Sequence, residues 1–200
     1  MRRRRRGSPI CGGSGNSTLP GLRRVLSSLR THETSRPRKE TRMAEVGQSL
    51  PDFKLRAAMG GETIDVEPAK YKGQKWLVIS AYPAAFTGGC SNQTSSFNRA
   101  LQQFKDRNTE VIGFSTDPVP SLRTWAQGMG GIGYPLASDF WPHGKASEAL
   151  GILNTEGGTA RRSVTIVDPQ GRVRWFQLYQ PGTVPDPKDV LAELEKLQKA

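Results

Sequence analysis

The chain reads as an α/β protein, a central mixed β-sheet flanked by helices, with a disordered basic N-terminal extension. Three observations predict this. From Met43 onward, short apolar runs rich in β-branched and aromatic residues alternate with segments of helical period. The last third switches to a hairpin pattern followed by one amphipathic helix. The positive charge is concentrated in the first 42 of the 200 residues.

Each element has a local reason. "KWLVISAY" (75–82) holds a continuous apolar stretch from Trp76 to Ile79, as in a strand covered on both faces. In "SNQTSSFNRALQQFKDR", Phe97, Ala100, Leu101 and Phe104 mark one face of a helix that begins near Ser91. "TEVIGFST" is a second buried strand, and "VPSLRTWAQGMG" a second helix stopped at glycine. Strand, helix, strand, helix implies parallel strands with crossover helices. "RRSVTIVDPQGRVRWFQL" is a hairpin turning at Asp168-Pro169-Gln170-Gly171, and "PKDVLAELEKLQKA" repeats Val190, Leu191, Leu194 and Leu197 at core spacing. A βαβ half followed by a ββα half is the thioredoxin-like arrangement. The segment "GGIGYPLASD" (130–139) reads as a glycine loop.

The net charge of +11 divides unevenly: residues 1–42 carry 12 Lys and Arg against 2 acidic residues, while residues 43–200 carry 17 against 16. A nucleic-acid-binding domain needs its basic excess on the folded surface, and the body has none. The extension is rich in Arg, Ser and Gly and has few groups to build a core, so disorder is expected. Leu22, Val25, Leu26 and Leu29 fall at helical spacing among arginines, the pattern of an organellar transit peptide; translation from Met43 is a second reading, and a nucleic-acid-binding or membrane-surface arm a third. A cytoplasmic location follows from the second, a mitochondrial or other organellar one from the first. No apolar run is long enough to span a membrane.

The body, residues 43–200, is one domain with one cysteine, Cys90, and one histidine, His143; Cys11 and His32 lie in the extension. That fits a reducing compartment and offers no His/Cys cluster for a typical zinc site. No metal or organic cofactor is expected. Cys90 follows Gly88-Gly89 at the first turn of the first crossover helix, where unpaired backbone N–H groups favour an anion. Lowering an ordinary thiol from about 8.5 to about 6 takes roughly 3.4 kcal/mol. A helix terminus supplies about 0.3–1 kcal/mol and at most about 2. The remainder has to come from the Thr87 hydroxyl, from backbone N–H groups of the glycine loop, or from an arginine elsewhere in the fold.

"YPAAFTGGC" carries Pro83, Thr87 and Cys90 in the spacing P-x-x-x-T-x-x-C, which resembles the active-site motif of peroxiredoxins, the thiol peroxidases of the thioredoxin superfamily. "VGQSLPDFKL" resembles that family's opening strand, "SDFWPHGKASEALGI" its later loop and helix, and "RRSVTIVDPQGRVRW" the segment with its active-site arginine. The resemblance runs from about Val46 to Gln198. It implies that Cys90 is the peroxidatic nucleophile, that Thr87 hydrogen-bonds the thiolate and the peroxide, and that Pro83 shields the sulfur. It also implies that Arg162, six residues before Asp168, is the cation at the sulfur. Arg161 and Arg162 face opposite sides of a strand, so one of them is expected to reach it.

The resemblance further implies a thiol-dependent peroxidase for hydrogen peroxide and organic hydroperoxides, working through a Cys90 sulfenic acid in antioxidant defence. An external thiol or thioredoxin-like reductant would regenerate it, because the body has no resolving cysteine and the chain stops at Ala200, as in a one-cysteine peroxiredoxin. A homodimer or higher oligomer is implied, with Phe140 and Trp141 suited to a subunit contact. The family pattern is broken where Gln93 stands in place of a glutamate, and a neutral amide cannot hold Arg162 by charge. His143 reads as a loop residue. A redox-sensing interaction protein or thioredoxin-fold chaperone with slow peroxide turnover is the competing function.

Overall fold

The computed structural model describes residues 45–200. The expectation for residues 1–42 lies outside the described residues. In chain order the elements are β1 (Leu55–Met59), β2 (Glu62–Val66), β3 (Trp76–Ala81), α1 (Gly88–Arg99), α2 (Leu101–Lys105), β4 (Thr109–Ser115) and α3 (Val119–Gly128). There follow β5 (Leu136–Ser138), α4 (Lys145–Ala149), β6 (Leu153–Asn154), β7 (Thr159–Ala160), β8 (Ser163–Val167), β9 (Val173–Leu178) and α5 (Pro187–Lys199).

Among the described residues seven strands form one sheet in the order β2-β1-β5-β4-β3-β8-β9. β3, β4 and β5 run parallel, connected by the crossover helices, while β8 pairs antiparallel with β3, and β9 with β8. This is the mixed sheet with flanking helices that the strand and helix periods predict. Burial on both faces explains the apolar runs: Val78 belongs to the core under α1, α3 and α5, while Leu77 and Ile79 belong to the core on the opposite face. Ser80 shares the Val78 face by strand alternation.

Four local expectations are revised. The first crossover helix starts at Gly88, three residues earlier than Ser91, and it breaks at Ala100 (φ −88°, ψ −1°) into α1 and α2. The "opening strand" makes a single bridge, Ser49 to Arg172, supported by Gly47 N–H to the Val173 carbonyl at 2.7 Å; the regular strand β1 starts at Leu55. β1 and β2 form a hairpin around Gly60 and Gly61, whose φ values of +58° and +86° only glycine adopts without strain. The 130–139 segment is a glycine turn that leads into β5, which lies between β1 and β4; three residues are too few to show a period.

The loops at the C-terminal ends of β3, β4 and β5 are tied together. Ala85 N–H donates to Asp117 Oδ2 at 2.8 Å, and the Ser138 hydroxyl donates to the Asp117 carbonyl at 2.6 Å. Buried Asp139 accepts from Ala146 N–H (3.1 Å), Ser147 N–H (2.7 Å) and the Ser147 hydroxyl (2.7 Å), and so caps the short helix α4 from outside it. Asp139→Ala leaves those donors without a partner in a buried position, so a loss of roughly 2–4 kcal/mol is expected, read from the urea midpoint at unchanged m value.

Burial raises the pKa of all four tyrosines above the usual value: Tyr82 and Tyr134 well above it, Tyr179 to about 12, and Tyr71 more modestly, with the Glu110 charge adding to the last. The folded chain therefore holds these protons above about pH 10, where an unfolded chain releases them. Stability falls as pH climbs through that window. Phenolate absorbance at 295 nm should stay low at pH 10 in the folded protein and rise together with the loss of far-ultraviolet circular dichroism; normal titration at pH 10 in the folded state would refute the assignment.

Candidate active site

Thr87 is the N-cap of α1 through its extended backbone (φ −98°, ψ 147°), so Gly88, Gly89 and Cys90 are the first three helical residues. α1 then buries Cys90, Gln93, Thr94 and Phe97, a stripe at 0, 3, 4 and 7 that faces the sheet. The stripe is polar at the end that carries the sulfur. Cys90 is 1% exposed and unpaired, and Gln93 is fully buried.

The helix is held to the sheet and to its neighbours by side-chain bonds along most of its length. Gln93 Nε2 donates to Ser80 Oγ at 2.8 Å and to the Ala81 carbonyl at 3.2 Å. Trp125 Nε1 donates to Ser91 Oγ at 3.2 Å, and the Tyr134 hydroxyl donates to the Thr94 carbonyl at 3.0 Å. Asn98 clamps the glycine turn, accepting from Gly133 N–H at 2.8 Å and donating to the Gly131 carbonyl at 3.3 Å.

The β3–β8 register pairs Ala81 with Ser163, and Arg162 immediately precedes Ser163. Arg162 is thereby delivered to the C-terminal end of β3, beside the start of α1. Its Nη2 stands 3.4 Å from Cys90 Sγ, and its Nη1 donates to Gln93 Oε1 and, at 3.5 Å, approaches the Gly89 carbonyl. Arg161 is engaged elsewhere and donates to the Gly151 carbonyl at 2.8 Å; both arginines lie in the two-residue connector between β7 and β8, so it is this connector and not strand alternation that separates them.

The second glycine of the Gly-Gly pair has a spatial reason. A Cβ at residue 89 would lie 3.2 Å from Arg162 Nη2 and 3.7 Å from Val184 Cγ2, whereas one at residue 88 would meet nothing within 4 Å. Gly89 leaves room for the guanidinium.

Of the four residues expected at the site, Cys90 and Arg162 meet directly. Pro83 is half-buried in the loop that leads to α1. Thr87 differs from expectation: its hydroxyl donates to the Ala84 carbonyl at 3.0 Å, within its own loop, so its one proton is not directed at the sulfur. The supposed weakness at Gln93 is resolved by hydrogen bonding, because the amide oxygen accepts from Arg162 without a charge. Ser80 and Trp125 were not singled out from the sequence, a serine inside the apolar run "LVISAY" being the one available sign, and Gly89 was read as a source of backbone N–H groups and not as the space for a guanidinium. His143, at φ +31°, lies edge-on to Trp141 at 5.0 Å and to Phe140 at 5.7 Å. Among the described residues no group of three His, Cys, Asp or Glu could hold a metal ion, and no helix is long and apolar enough to cross a membrane.

A buried thiol in the first turn of a crossover helix, faced by a guanidinium from a distant strand, is the equipment of an enzyme that attacks with sulfur, set on a thioredoxin-like sheet. Residues 46–176 match the AhpC/TSA family, so the chain belongs to that family, the peroxiredoxins, and is a thiol peroxidase, an oxidoreductase. Alkyl hydroperoxide reductase E of Mycobacterium tuberculosis is 35% identical over 155 residues, which cover 76% of this chain and 99% of that one. The chloroplastic 2-Cys peroxiredoxin BAS1 of Hordeum vulgare is 31% identical over 159 residues, 76% of this chain and 75% of its own. The crystal structure of Enterococcus faecalis AhpC superposes with a TM-score of 0.73 at 27% identity, over 78% of this chain and 93% of that chain.

Gly89→Ala should separate reactivity from stability. Alanine is the better helix former by about 1 kcal/mol, so the melting temperature holds or rises, while displacement of Arg162 slows oxidation of Cys90 about tenfold. Gly88→Ala, with open space around it, should leave the oxidation rate unchanged.

Proposed function

We propose that Cys90 is the peroxidatic nucleophile of a one-cysteine peroxiredoxin that reduces hydrogen peroxide and organic hydroperoxides. The observation that carries this reading is the 3.4 Å approach of Arg162 Nη2 to Cys90 Sγ. A cation at that distance favours the thiolate and faces the charge that develops on the peroxide oxygens. The helix terminus adds its dipole at the same sulfur.

In the reaction a thiolate electron pair forms the S–O bond as the O–O bond breaks. The departing oxygen keeps that bond's electron pair and takes a proton, leaving as water or an alcohol. The sulfur becomes a sulfenic acid. Pro83 narrows access of water to the sulfur. The Thr87 hydroxyl sits on the exposed side of the same loop, and turning it away from the Ala84 carbonyl hands its proton to an incoming peroxide oxygen. One external thiol then condenses with the sulfenic acid, releasing water, and a second thiol displaces the resulting mixed disulfide to restore Cys90. Such a cycle serves antioxidant defence. Self-association into a homodimer or higher oligomer is supported by Phe140 and Trp141, which are 47% and 72% exposed on the loop joined through Ser138 and Asp117 to the loop that leads to Cys90.

Trp125 supplies an optical test, since its indole bonds Ser91, the neighbour of Cys90. Rapid mixing with hydrogen peroxide should change tryptophan fluorescence at a rate far above that of an ordinary free thiol, and both Cys90→Ser and Trp125→Phe should abolish the change. A wild-type rate no faster than that of a free thiol would leave the redox-sensing or chaperone reading in its place.

A further inference from the structure

Gln93 does more than fill the space under the arginine. The guanidinium of Arg162 has three polar contacts, the Gln93 amide oxygen, the Gly89 carbonyl and the Cys90 sulfur, and among the described residues it forms no ion pair. Its unit charge is therefore not cancelled by a carboxylate. The other groups nearby do not cancel it either. Tyr82 is kept neutral by burial, and Asp117, whose carboxylate accepts from the Ala85 amide, forms no ion pair with Arg162 among the described residues.

The surroundings of Gln93 are built for an amide. Its Nε2 has two acceptors waiting, Ser80 Oγ and the Ala81 carbonyl, and its Oε1 has the Arg162 donor. An amide supplies two protons and an acceptor to match. A carboxylate would set an oxygen against the Ala81 carbonyl oxygen with no proton between them, in a position with no solvent access.

We propose that Gln93 fixes Arg162 against Cys90 while leaving its charge whole, so that the site is one unit more positive than a carboxylate would make it and favours negatively charged reagents. Gln93 is a positioning residue here, acting through Arg162. The proposal rests on the assignment of Cys90 and Arg162 to one active site, but it makes a statement about charge that holds whether or not peroxide is the substrate.

The test compares alkylation of Cys90 by iodoacetate, an anion, with alkylation by iodoacetamide, its neutral counterpart, in full-length protein carrying Cys11→Ser so that one thiol remains. Both reagents need the thiolate, so the ratio of the two rates cancels the ionised fraction and reports the local charge. In the wild type the ratio should exceed that of free 2-mercaptoethanol at low salt and fall toward it as salt is added. Gln93→Glu should lower the ratio about threefold or more, and Gln93→Met, neutral but unable to accept from Arg162, should keep it within about twofold of the wild type. A wild-type ratio equal to that of the free thiol and insensitive to salt overturns the proposal. So does a fall for Gln93→Met as large as that for Gln93→Glu, which would mean that position and not charge governs the ratio. If Gln93→Glu does not fold, the wild-type salt series and Gln93→Met decide. Failure of the peroxidase reading appears separately, as slow reaction with hydrogen peroxide beside an unaltered alkylation ratio.

Discussion

The antiparallel pairing of β3 with β8 is the constraint on which the site depends. It sets Ser163 opposite Ala81, and with that register Arg162 arrives at the sulfur from 72 positions away in the chain. A slip of one residue would exchange the faces of the strand and present Arg161 instead, whose guanidinium is already engaged with Gly151. The register is itself held by apolar alternation: Val164 and Ile166 are buried in the core beneath α1, with Val167 in the other. Arg162 is placed by the same packing that stabilises the sheet.

A second layer of the design is that α1 sets polar groups on its buried stripe at the end that meets Arg162. Phe97, Leu101 and Phe104 continue the stripe toward α2 as ordinary core, whereas Gln93 and Cys90 face Ser80 and Arg162. Buried polar groups are tolerated when each finds a partner, and Gln93 satisfies both ends of its amide. Thr94 keeps a buried hydroxyl with no partner among the described residues, and the structure gives no reason for it.

Much of this was legible in the sequence, and what was missed shares a cause. Continuous apolar runs announced β3 and β4, the 3.6-residue period announced α3 and α5, and Asp168 with Gly171 announced the β8–β9 turn, where Gly171 N–H bonds the Asp168 carbonyl at 2.9 Å. β5, with three residues, carries no period, and the β1–β2 hairpin hid its signal in Gly60-Gly61. At the site, the motif named Cys90, Thr87 and Pro83, and the spacing to Asp168 selected Arg162. The direction of the Thr87 proton, the fit of Gly89 to the guanidinium and the double use of the Gln93 amide depend on distances across the fold, which a linear pattern does not encode. The deficit expected of a neutral residue at 93 came from counting charge alone; the hydrogen bond does the holding.

The fastening of α1 has a mechanical consequence. From Ser91 to Asn98 the helix is bonded to Trp125, Ser80, Tyr134 and the glycine turn in succession, while Gly88 and Gly89, ahead of the cysteine, are tied only by backbone and by their approach to Arg162. It is a beam fixed along its length with one loose end, and the sulfur sits at the junction. A rod held in this way is stiff along its fastened span, and the sulfur lies where that stiffness ends.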